Sequence, residues 1–304
     1  MDVLRTPEER FRDLPDFPYE PRYLEVPADF SEGTLRMAWV EAGPADGEVV
    51  LCLHGEPSWS FLYRKMLPIF AEAGYRAVAP DLVGFGRSDK PADRAVYTYR
   101  RHLFWLRAFL DGAGLEAPHL VCQDWGGLLG LRLAGEQPDR FATIAAANTF
   151  LPTARTEASK AFLDWRRFSQ ESPNFEIGWL FQRATTTELP DEVVAAYDAP
   201  FPDESYKAGA RQFPVLVPIS KDDPEAQANE RAWQGLRFWK KPFLTAFSDE
   251  DPIMRGGDAV FQKRVPGCEG QPHTTIEGGG HFLQEDRGEA LAEAVLRFLR
   301  ANSR

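Results

Sequence analysis

Apolar residues change their spacing several times along this chain, and each change predicts a different kind of element. Residues 21–41 alternate apolar and polar positions in two runs, Arg22-Tyr23-Leu24-Glu25-Val26 and Leu35-Arg36-Met37-Ala38-Trp39-Val40, parted by a glycine-containing turn. That spacing predicts an antiparallel hairpin at the entry to the fold. Val49-Val50-Leu51-Cys52-Leu53-His54 is apolar without alternation, as expected of a strand covered on both faces in a parallel sheet. A helical stretch follows over 60–73, then a strand over 75–81, then an amphipathic helix over 99–110. Leu120-Val121-Cys122 predicts another buried strand, 126–137 a helix and 141–147 a further strand. The alternation of strand and helix predicts a mostly parallel central sheet flanked by helices.

That rhythm breaks at Phe150. From there to about Trp239 the chain is rich in aromatics, proline and charge, and no buried strand can be read. The pattern resumes with a strand over 242–247, a last strand over 273–276 and a closing helix over 287–299. The predicted organisation is therefore an α/β core built from 1–149 and 240–304, with an inserted helical cap over 150–239.

Composition narrows the class without naming a function. The chain has 304 residues, of which 43% are apolar and 27% charged, ordinary values for a globular protein. Its net charge of −11, with no basic run longer than three residues, excludes a nucleic-acid surface, which needs clustered Lys and Arg. The N-terminal residues lack the apolar segment of a signal peptide, and no apolar run reaches membrane-spanning length, so a cytoplasmic protein that does not engage a membrane is expected. Cys52, Cys122 and Cys268 are odd in number, and reduced core thiols are expected rather than disulfides or a metal site. Gly84-Phe85-Gly86-Arg87-Ser88-Asp89 lacks the third glycine of a dinucleotide fingerprint and opens no helix, so no cofactor is expected. With no heptad and no apolar surface stripe, the expected state is a monomer.

The candidate chemistry begins where the strand at Leu120 stops abruptly at Gln123-Asp124-Trp125-Gly126-Gly127. A strand, a sharp turn and a helix in succession need small residues on either side of the exposed one, and Cys122 and Gly126 stand two before and two after Asp124. This is the nucleophile elbow of α/β-hydrolases, with a carboxylate where esterases and lipases place serine. An aspartate here also caps a helix for plain stability, but the flanking small residues favour the nucleophile. Asp251 follows the strand over 242–247, and His281 follows Gly278-Gly279-Gly280. Nucleophile, acid and histidine thus occur in the chain order this fold uses, each at a strand's carboxyl end. Asp249 and Asp258 compete with Asp251, which best suits the role because it precedes Pro252-Ile253. His54, His102, His119 and His273 each have a structural explanation.

Leu51-Cys52-Leu53-His54-Gly55-Glu56-Pro57-Ser58-Trp59-Ser60, Ala79-Pro80-Asp81-Leu82-Val83-Gly84-Phe85-Gly86-Arg87-Ser88-Asp89-Lys90-Pro91, Gln123-Asp124-Trp125-Gly126-Gly127 and Gly280-His281-Phe282 together resemble the haloalkane dehalogenases over most of the chain. The likeness is to the first subfamily, whose catalytic acid follows the later strand and whose second halide donor is a cap tryptophan. The second subfamily's glutamate and asparagine are replaced here by Asn148 and Glu56. The resemblance implies hydrolysis of a haloalkane to a primary alcohol and halide through an alkyl ester on Asp124, with His281 as base and Asp251 as its partner. The expected partners are an apolar halogenated substrate, water and the halide ion. The backbone N–H groups of Glu56 and Trp125 would meet the oxyanion. Trp125 would be one indole donor to halide and a cap tryptophan the other; among Trp165, Trp179, Trp233 and Trp239, Trp165 fits the family spacing best, with a one-residue shift. Phe162, Phe213 and Pro214 are the pocket lining that the comparison implies.

Two enzymes and one non-enzyme compete with this reading. An epoxide hydrolase shares the elbow aspartate but needs cap tyrosines, for which Tyr197 and Tyr206 are the candidates. A fluoroacetate dehalogenase would need cap arginines, and Arg155, Arg166, Arg167 and Arg183 are available. A ligand receptor on this fold would show a damaged triad, and this one is intact.

Overall fold

The computed structural model describes residues 2–303. Its strands are β1 (Val3–Leu4), β2 (Arg22–Pro27), β3 (Thr34–Ala42), β4 (Val49–Leu53), β5 (Arg76–Pro80), β6 (Lys90–Pro91), β7 (His119–Gln123), β8 (Thr143–Ala147), β9 (Phe243–Ser248) and β10 (Thr274–Ile276). Eight of these form the main sheet in the order β10-β9-β8-β7-β4-β5-β3-β2, while β1 and β6 make a small antiparallel ribbon. From β10 to β5 every pairing is parallel; β3 joins β5 and β2 antiparallel, as the alternation at the start of the chain predicts. The apolar runs read as doubly covered strands are buried almost throughout, because helices cover both faces.

The helices are α1 (Leu67–Glu72), α2 (Tyr99–Gly112), α3 (Asp124–Glu136), α4 (Lys160–Glu171), α5 (Ile177–Ala184), α6 (Asp191–Asp198), α7 (Ala208–Leu216), α8 (Pro224–Leu236), α9 (Gly257–Arg264) and α10 (Leu283–Asn302). The single helix expected over 60–73 is instead a 3-10 turn, Ser60–Tyr63, followed by α1, whose second residue is Pro68. Proline is tolerated in a first turn but not inside a helix, so the register restarts there. The closing helix begins earlier than its pattern suggests and kinks at Arg287.

The insertion between β8 and β9 is not one unit. α4 packs on α7 and α5 on α6, but α8 lies along α3 in the core layer. The crossing is close because both helices present glycine: a Cβ on Gly235 would fall 1.9 Å from the Gly135 carbonyl oxygen. Helical spacing alone does not reveal which layer a helix joins. The cap is bolted to the core by a buried polar cluster. Tyr197 on α6 donates its hydroxyl to Glu285 at 2.5 Å, and Glu285 also pairs with Arg64 at 2.6 Å. Burying such a pair is tolerable because both Glu285 oxygens and both terminal nitrogens of Arg64 are engaged.

Candidate active site

The parallel arrangement places the carboxyl ends of β4, β7, β8 and β9 side by side, and the residues that follow them meet there. Asp124 leaves β7 with φ +48, a left-handed conformation that costs a non-glycine residue about 1–3 kcal/mol. The surroundings hold that turn in place. A Cβ on Gly126 would fall 2.0 Å from the Leu53 carbonyl oxygen, so α3 can start this close to β4 only with glycine there.

The two oxygens of Asp124 have different surroundings. Oδ1 accepts the Glu56 backbone N–H at 2.8 Å, whereas Oδ2 faces His281 Nε2 at 3.6 Å. On its far side His281 donates Nδ1–H to Asp251 Oδ2 at 2.9 Å, and Asp251 Oδ1 accepts the N–H of Ile253 at 2.8 Å. Burial alone would lower the His281 pKa, but the carboxylates of Asp251 and Asp124 outweigh it and raise the imidazole to about 10. Asp251 is fully buried; burial pushes its pKa upward, yet the histidine and the N–H donors hold it below the usual carboxylate value. The imidazole thus carries its proton between two anions.

Groups that the sequence reading did not assign hold this constellation. Asn148, following β8, donates to Ser248 Oγ at 2.7 Å and to the carbonyls of Gly280 and His281 at 2.9 and 3.1 Å, which pins the histidine loop to β9. Gln123 donates to the His281 carbonyl at 3.1 Å from the strand that ends at Asp124. Asp286 accepts the N–H groups of Gly280, Thr186 and Thr187 at 2.8–3.0 Å, tying the histidine loop to the cap after α5. Position at a strand end was a signal for Asn148 and Gln123; none in the sequence pointed to Asp286.

Above Asp124 lies a cavity of about 1370 Å³ whose walls include Glu56, Trp125, Phe162, Trp165, Pro214 and His281. Phe213 is not on the wall; it packs edge to face behind Trp125 at 4.6 Å, so its influence on the cavity is indirect. The Glu56 carboxyl is buried, and desolvation, reinforced by the Asp124 charge, lifts its pKa well above normal. Trp165, on α4, lines the same cavity from the cap side. Trp179 lines the outer cavity and is 46% exposed; Trp233 spends its N–H on the Leu151 carbonyl at 2.8 Å, and Trp239 is buried away from the wall.

The competing side chains are placed less favourably. Tyr197 is committed to Glu285, and neither it nor Tyr206 lines the cavity. Arg155 pairs with Glu230 and Arg166 donates to the Val217 carbonyl, both off the cavity wall; Arg167 and Arg183 do line the cavity, the first paired with Asp164 and the second over the Trp179 ring. His54 accepts the Leu82 N–H at 3.0 Å, and His102, pushed down to about 3 by burial, packs among aromatic rings. All three cysteines are free and buried. Among the described residues no helix is long and apolar enough to cross a membrane.

Comparison with known proteins decides between these sites' possible families. Residues 48–288 match the family model for the alpha/beta hydrolase fold. A haloalkane dehalogenase of Psychrobacter cryohalolentis is 54% identical over 304 residues, covering all of both chains. The chain belongs to the haloalkane dehalogenases. Another dehalogenase of the family, from Mycobacterium marinum, is 49% identical over 97% of this chain and 99% of its own. Among solved structures, the tetrameric haloalkane dehalogenase DpaA of Paraglaciecola agarilytica superposes with a TM-score of 0.89 at 37% identity, covering 98% of each chain. As a haloalkane dehalogenase, the protein is a hydrolase acting on carbon–halide bonds.

Proposed function

We propose that Asp124 is the nucleophile of this hydrolysis and that His281, oriented by Asp251, is the base. The observation that carries the assignment is the asymmetry of the Asp124 carboxylate, one oxygen held by the Glu56 N–H and the other turned to His281. Oδ2, the oxygen not held by that N–H, attacks the carbon bearing the halogen; a C–O bond forms and the electron pair of the C–halogen bond leaves with the halide. Indole N–H groups suit the departing anion, since an unpaired charge in an apolar cavity is costly. We assign that role to Trp125 and Trp165, with Phe162 and Pro214 as apolar lining.

The first step removes the charge on Asp124 and with it part of what holds the proton on His281. The imidazole then gives its proton to solvent and, neutral, takes one from water. That water attacks Cγ of Asp124. The negative charge appears on Oδ1, where the Glu56 and Trp125 backbone N–H groups receive it, and collapse releases the alcohol, protonated by the imidazolium. The test is halide release from short terminal bromoalkanes and chloroalkanes without added cofactor. No halide, together with diol from an epoxide, would overturn the assignment.

The same reading makes the protein a cytoplasmic monomer. Its large exposed apolar residues, Val3, Leu163, Trp179, Ile219 and Phe238, do not include a continuous stripe along one helix. Gel filtration should return the mass of one chain; elution as a tetramer, the state of the Paraglaciecola protein, would contradict it.

A further inference from the structure

We propose that His54 is a positioning residue for the hydrolytic step: it aligns and polarises the peptide unit whose N–H, that of Glu56, meets the charge on Asp124 Oδ1. This inference rests on the proposed function of the same site and adds a residue to it. His54 follows β4, is fully buried and does not line the cavity. Its Nε2 accepts the Leu82 backbone N–H at 3.0 Å. An amide N–H can only donate, so the ring proton sits on Nδ1, which donates to the Gly55 carbonyl at 2.8 Å. Burial holds the imidazole pKa below its ordinary value and so keeps the ring neutral in that tautomer.

The Gly55 carbonyl and the Glu56 N–H are the two ends of one planar amide. Its oxygen accepts three donors: His54 Nδ1–H, the Ser58 N–H at 3.0 Å and the Ser58 hydroxyl at 2.9 Å. Its nitrogen donates to Asp124 Oδ1 at 2.8 Å. Three donors on the oxygen fix the plane of the amide and draw electron density toward that end, which makes the N–H at the other end a stronger donor. The approach leaves no slack, since a Cβ on Gly55 would fall 2.5 Å from the Asp124 Cβ. Charge leaves the Asp124 carboxylate when the ester forms and returns to Oδ1 when water attacks Cγ. A stronger N–H therefore speeds the second step and gives nothing to the first.

The experiment separates the two steps in the full chain with 1-bromobutane: the rate of the first halide equivalent by rapid quench, and the decay of alkylated Asp124 by quench and mass spectrometry. Removing an oxyanion donor outright costs about 10²–10³-fold, so His54→Gln, which keeps a partner for Leu82 but takes the donor from Gly55, should slow ester decay by about tenfold. The first halide equivalent should keep its rate. His54→Asn, which carries an N–H near the Nδ1 position, should restore most of the loss. Ser58→Ala, which removes one of the other donors without touching the histidine, should slow decay by about threefold and decides the matter if the His54 variants do not fold. Equal slowing of both steps, unchanged decay in Ser58→Ala, or a loss that His54→Asn does not restore overturns the inference while leaving the dehalogenase mechanism standing. Absence of alkylated Asp124 even in His281→Gln overturns the mechanism and this inference with it.

Discussion

The sheet edge and the cap build the two sides of one cavity by different means. At the edge, each polar side chain follows a strand whose position is fixed by parallel pairing, and its remaining contacts go to neighbouring strand ends: Glu56 N–H to Asp124, Asn148 to the histidine loop, Asp251 to His281. The cap has no such ladder. Its wall is made of rings, Trp165, Phe168 and Trp179, held by stacking between short helices and tied to the core at a few points such as Asp286 and Tyr197. Pairing fixes atoms to fractions of an ångström, whereas ring packing fixes a volume and its polarity. On the proposed mechanism, bond making belongs to the edge and choice of substrate to the cap.

Substitutions should separate the two sides by size of effect. Asp124→Ala is expected to lower halide release by at least about 10⁴-fold, since no other group can form the ester. His281→Gln should reduce steady-state turnover on a similar scale yet leave one equivalent of halide per enzyme, measured by rapid quench, because the base acts only on water. Loss of that first equivalent would place His281 in the first step and break the division of labour.

The paired indoles test the border between the regions. Removing a hydrogen bond to a charged group costs about 1.5–3 kcal/mol, so Trp125→Phe on the core should cost about 100-fold in kcat/KM and Trp165→Phe on the cap side about tenfold. Halide quenching of fluorescence should weaken in both. An unchanged response in Trp165→Phe would remove that residue from the site, and an equal loss in both would show that the cap positions as tightly as the edge.

The smallest effect expected is on stability. His281 has its pKa raised to about 10 in the folded site, above the ordinary imidazole value near 6.5. The folded state holds a proton that the unfolded chain releases, so the contribution of His281 is full below about pH 6.5 and is lost as pH rises toward 10. The difference in Tm between the wild type and His281→Gln should therefore narrow across that window. Parallel melting curves would mean that the two carboxylates do not hold the proton.

The same contrast explains what the sequence reveals. The buried strands are legible because full coverage removes alternation, and the meeting of Asp124, Asp251 and His281 is legible because parallel strands bring their ends to one edge. The elbow is legible because Gly126 must pass the Leu53 carbonyl at close range. The cap is harder. Helical spacing marks α8 but not its place in the core, which depends on Gly135 and Gly235 facing each other across helices distant in sequence. Nor does it show that Phe213 backs Trp125 instead of lining the cavity. Asp286 stays silent in sequence because its partners are backbone N–H groups, which every residue but proline carries.

The central claim is that the ester forms on Asp124 and is broken by water at its carbonyl carbon. A single turnover in heavy-oxygen water, followed by mass spectrometry of the peptide containing Asp124, tests this directly. The account predicts one heavy oxygen in that carboxylate and ordinary oxygen in the first alcohol released. Heavy oxygen in the alcohol, with an unlabelled Asp124, would mean that water attacks the substrate carbon itself and would contradict it.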